Sequence, residues 1–194
     1  MLHIDNLDSV LRDGALYSKN KMSSRAYVSI ANSEVQARRA AKHVPQSGRL
    51  LHDYVPLYFG NRTPMVADLE EQNESIIFFR FSLEVLTLPG VVFTDGNAAS
   101  SNTQFFEFSS LDSLKALDVG AIQTVQYAND PVRRHRKQAE ILIPDSLDIS
   151  HIYDIVCFSN SARESILSNL VARDRKWTVS VNPGSWYFRT PTRA

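Results

Sequence analysis

In the stretch "HIDNLDSVLRDGALYS" apolar side chains recur at Leu7, Val10 and Leu11, a spacing that gathers them on one face of a helix. Asp5 or Asn6 can cap its start and Gly14 ends it. A second helix is predicted from Glu34 to Lys42, mostly good helix formers, capped by Ser33 or Asn32 and stopped by Pro45. Beyond it the period shortens. Tyr54, Val55, Leu57, Tyr58 and Phe59 suit a strand. Pro56 has no N–H for a ladder and assigns that strand to an edge or bulge, while Gly60, Asn61 and Pro64 mark a turn. "ESIIFFRFSLEVL" reads as a mostly buried strand, "PGVVFTDGNAAS" as a strand entering an Asp-Gly turn, and "AEILI" and "YDIVCFS" as short apolar strands. "SARESILSNLVARD" returns to helical spacing through Ile166, Leu167, Leu170 and Val171, and "WTVSVNPGSWYF" is extended. This mixture, free of repeats and low-complexity tracts, predicts the α+β class.

Composition narrows the picture. A chain of 194 residues, 43% hydrophobic, suits one domain spanning 1–194 with a real core. Its 21 basic and 21 acidic residues balance, so a nucleic-acid partner has to be held by a local patch. Cys157, the only cysteine, excludes an internal disulfide and reads as a buried strand thiol in a reducing compartment. No run approaches the roughly 18 apolar residues of a membrane helix and no signal segment opens the chain, so a soluble, cytoplasmic protein is expected. His3, His43, His52, His135 and His151 lack ligand spacing and no glycine-rich phosphate loop occurs, so neither a metal nor a phosphate-loop enzyme is expected.

One stretch stands apart. In "VRRHRKQAEILIPDSL" the run Arg133, Arg134, His135, Arg136, Lys137 meets a lone carboxylate, Glu140, just ahead of Ile141, Leu142 and Ile143. By spacing alone Glu140 is a polar strand-start residue that discourages edge pairing, and the basic run is a solvated loop.

Four segments change that reading. "HIDNL" at 3–7, "RRAAKHVP" around Arg39, "LHDYVPLYFGNRTPM" at 51–65 and "KQAEILI" with Glu140, in this order and with "VVFTDGNAAS" between the last two, resemble the DarT family of DNA ADP-ribosyltransferase toxins. The resemblance spans about residues 2–156. It implies the ADP-ribosyltransferase-like fold, with central split β-sheets and flanking helices. It also implies a reaction in which NAD+ is the substrate, no metal takes part, and ADP-ribose passes to a base in single-stranded DNA. Thymine in a short sequence context is the family's usual acceptor and guanine its known alternative. Glu140 matches the family's catalytic glutamate, a natural partner for an oxocarbenium-like ribose. Arg39 matches an arginine near the cofactor, unless it is a solvated helix residue like Arg38; neighbours about 100° apart on a helix allow at most one to face the ligand. His3, Asn6 and Leu7 match the nicotinamide-side motif, although Asn6 can equally be a helix cap, and Tyr58 matches the aromatic beside nicotinamide or is a core strand residue.

By the same resemblance the loop before the glutamate, "QYANDPVRRHRKQ", chooses the acceptor. Arg133, Arg134, Arg136 and Lys137, with Arg62, are then the candidate DNA contacts, and Tyr127, Phe105 or Phe106 could stack on bases. A macrodomain antitoxin that removes the mark is the implied partner, and no membrane is involved. Family members usually carry a further strand and another histidine ahead of the "HIDNL" motif, so a loss of NAD+ affinity rather than of chemistry is expected here. That departure leaves a second reading, a catalytically weak relative that binds nucleic acid or nucleotide.

Overall fold

A computed structural model describes residues 1–182 and 186–188. Strand β1 (Leu2–His3) runs through a 3-10 turn into helix α1 (Leu7–Asp13), which Gly14 closes at φ 71° with its N–H on the Val10 carbonyl. That left-handed turn is cheap only without a Cβ. After β2 (Ala15–Tyr17), helix α2 (Ser33–Ala41) starts at Asn32, whose side chain accepts from the N–H groups of Glu34 and Val35. Then come β3 (Tyr54–Tyr58), α3 (Pro64–Asp68), β4 (Ile76–Phe81), β5 (Val92–Thr94) and β6 (Phe105–Glu107). Helices α4 (Val119–Gln123) and α5 (Pro131–Arg136) precede β7 (Glu140–Pro144) and β8 (Ser146–Asp148). The chain continues through β9 (Ile152–Cys157), α6 (Asn160–Ala172) and β10 (Thr178–Val181).

Among the described residues the strands form two four-stranded sheets, β1-β4-β9-β10 and β3-β7-β5-β6, and a two-stranded pair, β2-β8. This is the split-sheet α+β arrangement expected. Strands β9 and β10 are parallel, so the chain must cross over between them, and α6 makes that crossing. Its Ile166 and Leu170 pack on Leu7, Val10 and Leu11 of α1 and on Ile77 and Ile155 of the sheet. Val171, expected on the same face, is exposed instead, because it falls a step past the Ile166–Leu170 stripe.

Strand β7 positions everything that follows. It is antiparallel to β3 on one side and β5 on the other, with Glu140 opposite Tyr58 and Ile141 opposite both Leu57 and Phe93. Ile141 and Ile143 enter a cluster with Val55, Phe93 and Leu147, while Leu142 faces the other way, among Val44, Leu51, Tyr54 and Ala98. Because side chains alternate along a strand, Glu140 shares the face of Leu142. Pro56 is exposed on β3, which is an edge strand as its missing N–H requires.

Two expectations are corrected here. Pro64, read as a turn residue, opens α3, where a first-turn proline has no bond to lose. The basic run, read as a loop, is helical from Pro131 to Arg136 because Asp130 caps it, its side chain accepting from the Arg133 N–H at 2.9 Å. The short β1, β2, β6 and β8 escaped the sequence reading because two or three residues carry no period. Of the C-terminal extended stretch, Thr178–Val181 is strand, and residues 183–185 lie outside those described.

The turn after β5 touches α5 closely: a Cβ on Gly96 would lie 2.2 Å from His135 Nε2. Gly96→Ala is therefore expected to lower stability by about 1–3 kcal/mol through overpacking. Gly120→Ala, inside α4 with an ordinary φ, should leave the melting temperature unchanged or slightly raised. Thermal melts of both variants check this, and equal melting temperatures would contradict the packing assigned to Gly96.

Candidate active site

Glu140 opens β7 with only 2% of its surface exposed. Its backbone N–H donates to Thr94 Oγ1 at 3.0 Å, and that hydroxyl donates to the Gly96 carbonyl at 2.7 Å. Its Oε1 accepts the Ala98 N–H at 2.9 Å. From α2, Arg39 Nη1 donates to both carboxylate oxygens, at 3.2 Å and 2.9 Å. A carboxylate leaves water only when paired and hydrogen-bonded, and here two stretches far apart in the chain, α2 and the turn after β5, supply the partners. The edge-guarding role is excluded, since β7 is an interior strand.

Arg39 is 7% exposed while Arg38 is exposed, so the helical step separates the two heads as the sequence predicts. Both border the same cavity, however: Arg39 at its floor and Arg38 at its rim. Arg39 Nη2 is buried with no hydrogen-bond partner among the described residues, an uncommitted donor beside the carboxylate. The cavity holds about 460 Å³ and is walled by α2, by Pro56, Leu57 and Tyr58 of β3, by Met65 and Asp68 of α3, and by Asn97, Arg134, Gln138 and Glu140. Burial, and then the neighbouring Glu140 charge, push the Tyr58 phenol above its ordinary range, so it presents a neutral hydroxyl.

A second cavity of about 230 Å³ contains His3 and Asn6 together with Tyr17, Tyr27 and Val28. It shares Met1, Ile30, Ala31, Gln36 and Pro56 with the first, so the two are compartments of one cleft. Asn6 clamps the segment between β2 and α2: its Nδ2 donates to the Val28 carbonyl and its Oδ1 accepts the Val28 N–H, both at 2.8 Å. It makes no side-chain cap bond to α1; the side-chain cap of the preceding 3-10 turn comes from His3 Nδ1, which accepts the Asp5 N–H at 3.3 Å. Leu7, expected among the cofactor contacts, has its side chain fully buried against α6 and lines neither compartment, because helical spacing turns it to the core with Val10 and Leu11.

The basic run divides. Arg134 is exposed and lines the Glu140 cavity, and Arg133 is exposed beside it, its Nη1 donating to the Gln126 carbonyl at 3.4 Å. Arg136 is engaged by the buried carboxylate of Asp95. Lys137, expected on DNA, is 0% exposed and donates its Nζ hydrogen to the Ile122 carbonyl at 2.9 Å, so it cannot reach a phosphate from this position. Arg62 sits in the turn after β3 at φ 47°, close enough to Lys137 for its charge to bear on that ammonium. Of the aromatic candidates, Phe106 stacks on Phe93 in the core, Phe105 lies under the Lys42 ammonium, and Tyr127 is buried. Burial also raises the Cys157 thiol above its ordinary range, which makes it the inert core thiol expected.

Sequence reasoning missed Asn97 and Gln138, which are hydrogen-bonded at 2.9 Å on the rim, and the Ala98 N–H. The two-residue spacing of Gln138 from Glu140 could have flagged the former. A backbone donor leaves no mark in side-chain pattern.

Residues 1–188 match the family model described as ssDNA thymidine ADP-ribosyltransferase, DarT. A DNA ADP-ribosyl transferase of Thermus sp. (strain 2.9) is 35% identical over 178 residues, covering 87% of this chain and 84% of the relative. A DNA ADP-ribosyl transferase–DNA ADP-ribosyl glycohydrolase fusion protein of Thermosipho africanus is 26% identical over 198 residues, 98% of this chain and 49% of the fusion. Thermus sp. 2.9 DarT in complex with ADP-ribosylated ssDNA superposes with a TM-score of 0.88 at 34% identity, covering 96% of this chain and 93% of that one. The same protein in complex with NAD+ gives 0.84 at 32% identity, covering 96% and 94%.

The buried pair makes a stability prediction. Arg39→Ala leaves the Glu140 carboxylate buried without its cation and should cost about 3–5 kcal/mol, whereas Arg38→Ala at the rim should stay within about 0.5 kcal/mol of the parent. Urea titrations of both variants measure the difference, and similar midpoints would show that the pair carries no such weight.

Proposed function

Because the chain belongs to the DarT family of single-stranded DNA thymidine ADP-ribosyltransferases, we propose that its cleft takes NAD+ as substrate and that Glu140 directs the transfer of ADP-ribose to thymine. The observation that carries this reading is the buried Glu140 carboxylate, held by Arg39 and the Ala98 N–H, facing a cavity large enough for a reacting ribose. One similar protein, Thermus sp. 2.9 DarT, has been solved in complex with NAD+ and with ADP-ribosylated ssDNA, which supports this reading.

The chemistry follows from the groups present. The bond from ribose C1′ to the nicotinamide nitrogen breaks, its electron pair leaves with nicotinamide, and C1′ becomes electron-poor. A fixed carboxylate stabilises that charge without reorganising, since its partners already hold it in place. A ring nitrogen of the base then bonds to C1′ and gives up its proton, which Glu140 is placed to accept and release to water. The exposed head of Arg38 at the rim suits a phosphate of the dinucleotide, with the Arg39 charge on the cavity floor adding to the attraction. Tyr58 stays a neutral hydroxyl and offers a ring face to nicotinamide. The compartment with His3 and Asn6 then takes the part of NAD+ that extends beyond Pro56. Arg134 and Arg133, with Arg62, form the approach for the DNA phosphates.

The weak-binder alternative has no observation in its favour: the carboxylate, its guanidinium and both compartments are in place. The family's fused glycohydrolase points to a macrodomain-type partner that reverses the mark. No helix among the described residues is long and apolar enough to cross a membrane, and we assign the activity to the cytoplasm, where NAD+ and exposed DNA strands meet.

Glu140→Gln keeps the size of the side chain and an acceptor for Arg39 and Ala98, but removes the charge. Modification of a thymine-containing oligonucleotide, followed by mass spectrometry, should fall at least about 100-fold while the far-UV circular dichroism stays unchanged. Undiminished modification would sink the assignment. Arg134→Ala should weaken binding to a single-stranded oligonucleotide and flatten the salt dependence by roughly 0.7 in log–log slope, the share of one phosphate contact. Fluorescence anisotropy across a salt series reads this; an unchanged slope would mean that the strand enters elsewhere.

A further inference from the structure

A lysine with no exposed surface is an expensive residue to keep, and Lys137 sits three positions ahead of Glu140. Burial lowers its pKa to about 8, with the nearby Arg62 charge adding to the effect. Its Nζ donates to the carbonyl of Ile122 in α4 at 2.9 Å, and the ring of Tyr127 lies 5.5 Å away. Residues 122 and 137 are therefore the two ends of a loop drawn together at its neck by one side chain. The loop is filled by its own Tyr127, and Arg133 Nη1 to the Gln126 carbonyl and Asp130 N–H to the Tyr127 carbonyl bond it internally. The segment, which carries α5 in its second half, is thereby compact and closed at its base.

The far side of this loop is docked firmly. Arg136 pairs with Asp95, and His135 lies against Gly96, both in the turn that also carries the Ala98 donor to Glu140. The near side is held by the Lys137 bond to Ile122 and by the close approach of that carbonyl to the Gly60 turn, where a Cβ would come within 2.8 Å of it. Arg134, which projects into the Glu140 cavity, rides on the closed loop.

We propose that Lys137 is a positioning residue: it clasps the 122–137 loop so that Arg134 is presented to the acceptor strand beside Glu140. Apolar packing could fill the same space at less cost, since replacing a buried charge by a hydrophobe of similar volume is often neutral for stability. Only the ammonium both donates to Ile122 and sits against the Tyr127 ring. The inference rests on the reading of Glu140 as the transfer centre, and its effect falls on acceptor binding rather than on cleavage of NAD+.

Lys137→Met keeps the volume and removes the donor. In the full chain it should melt within about 4 °C of the parent. It should release nicotinamide from NAD+ without DNA at a rate within about twofold, and raise the KM for a thymine-containing oligonucleotide roughly tenfold or more. Amide hydrogen exchange across residues 123–131 should quicken, a readout that does not depend on activity. Unchanged exchange, or an unchanged oligonucleotide KM, would overturn the clasp, as would a proportional fall in both reactions. If Lys137→Met does not fold, Tyr127→Leu, which removes the ring beside the ammonium, is judged by the same split. A parent chain that modifies no DNA would instead defeat the reading of Glu140, while the exchange measurement still decides the clasp.

Discussion

The structure turns on one buried ion pair. Arg39 and Glu140 are 101 positions apart, and their contact fixes α2 against the first residue of β7. Neither charge is tolerable alone at 7% and 2% exposure, so each stabilises the other's burial and the helix cannot drift from the sheet without exposing both. The same contact sets the floor of the larger compartment, and the Ala98 N–H sets the carboxylate's remaining freedom. Scaffold and candidate site therefore share their most consequential bond.

Elements long enough to show a period were legible in the sequence. Helices α1, α2 and α6 announced themselves through spacing and caps, and β3, β4, β7 and β9 through apolar runs and the placement of Pro56. Glu140, Arg39 and Tyr58 were found because the residues around them resemble a known set, and the structure brings all three to one cavity. What pattern could not supply was depth. Nothing in "RRHRK" says that Arg136 meets a carboxylate from the turn after β5, or that Lys137 folds back under α4. Those facts depend on neighbours far along the chain. The side chain of Leu7 lies in the core for a reason already visible in the sequence, its own helical period with Val10 and Leu11.

Charge is distributed with similar economy. The chain is neutral overall, with 21 basic and 21 acidic residues, yet the cavity wall carries Arg38, Arg39 and Arg134 against Glu140 and Asp68. Acids that could cancel the field are used nearby to hold cations in place: Asp95 takes Arg136, and Asp130, the cap of α5, lies 3.6 Å from the Arg133 guanidinium. The positive field thus comes from geometry, and it is local because so few of the arginines are left facing the cleft.

Pro56 has a consequence for the open edge of the sheet. It lies in the middle of the edge strand β3 and on the walls of both compartments. An edge strand ordinarily offers a row of amide donors onto which another polypeptide can add as an extra strand. Here that row is broken at its centre, so an extended peptide would lose its backbone pairing where it enters the cleft. The outer edge of β3 is thus guarded against strand addition by a missing donor at its middle residue, without a charge or a covering helix.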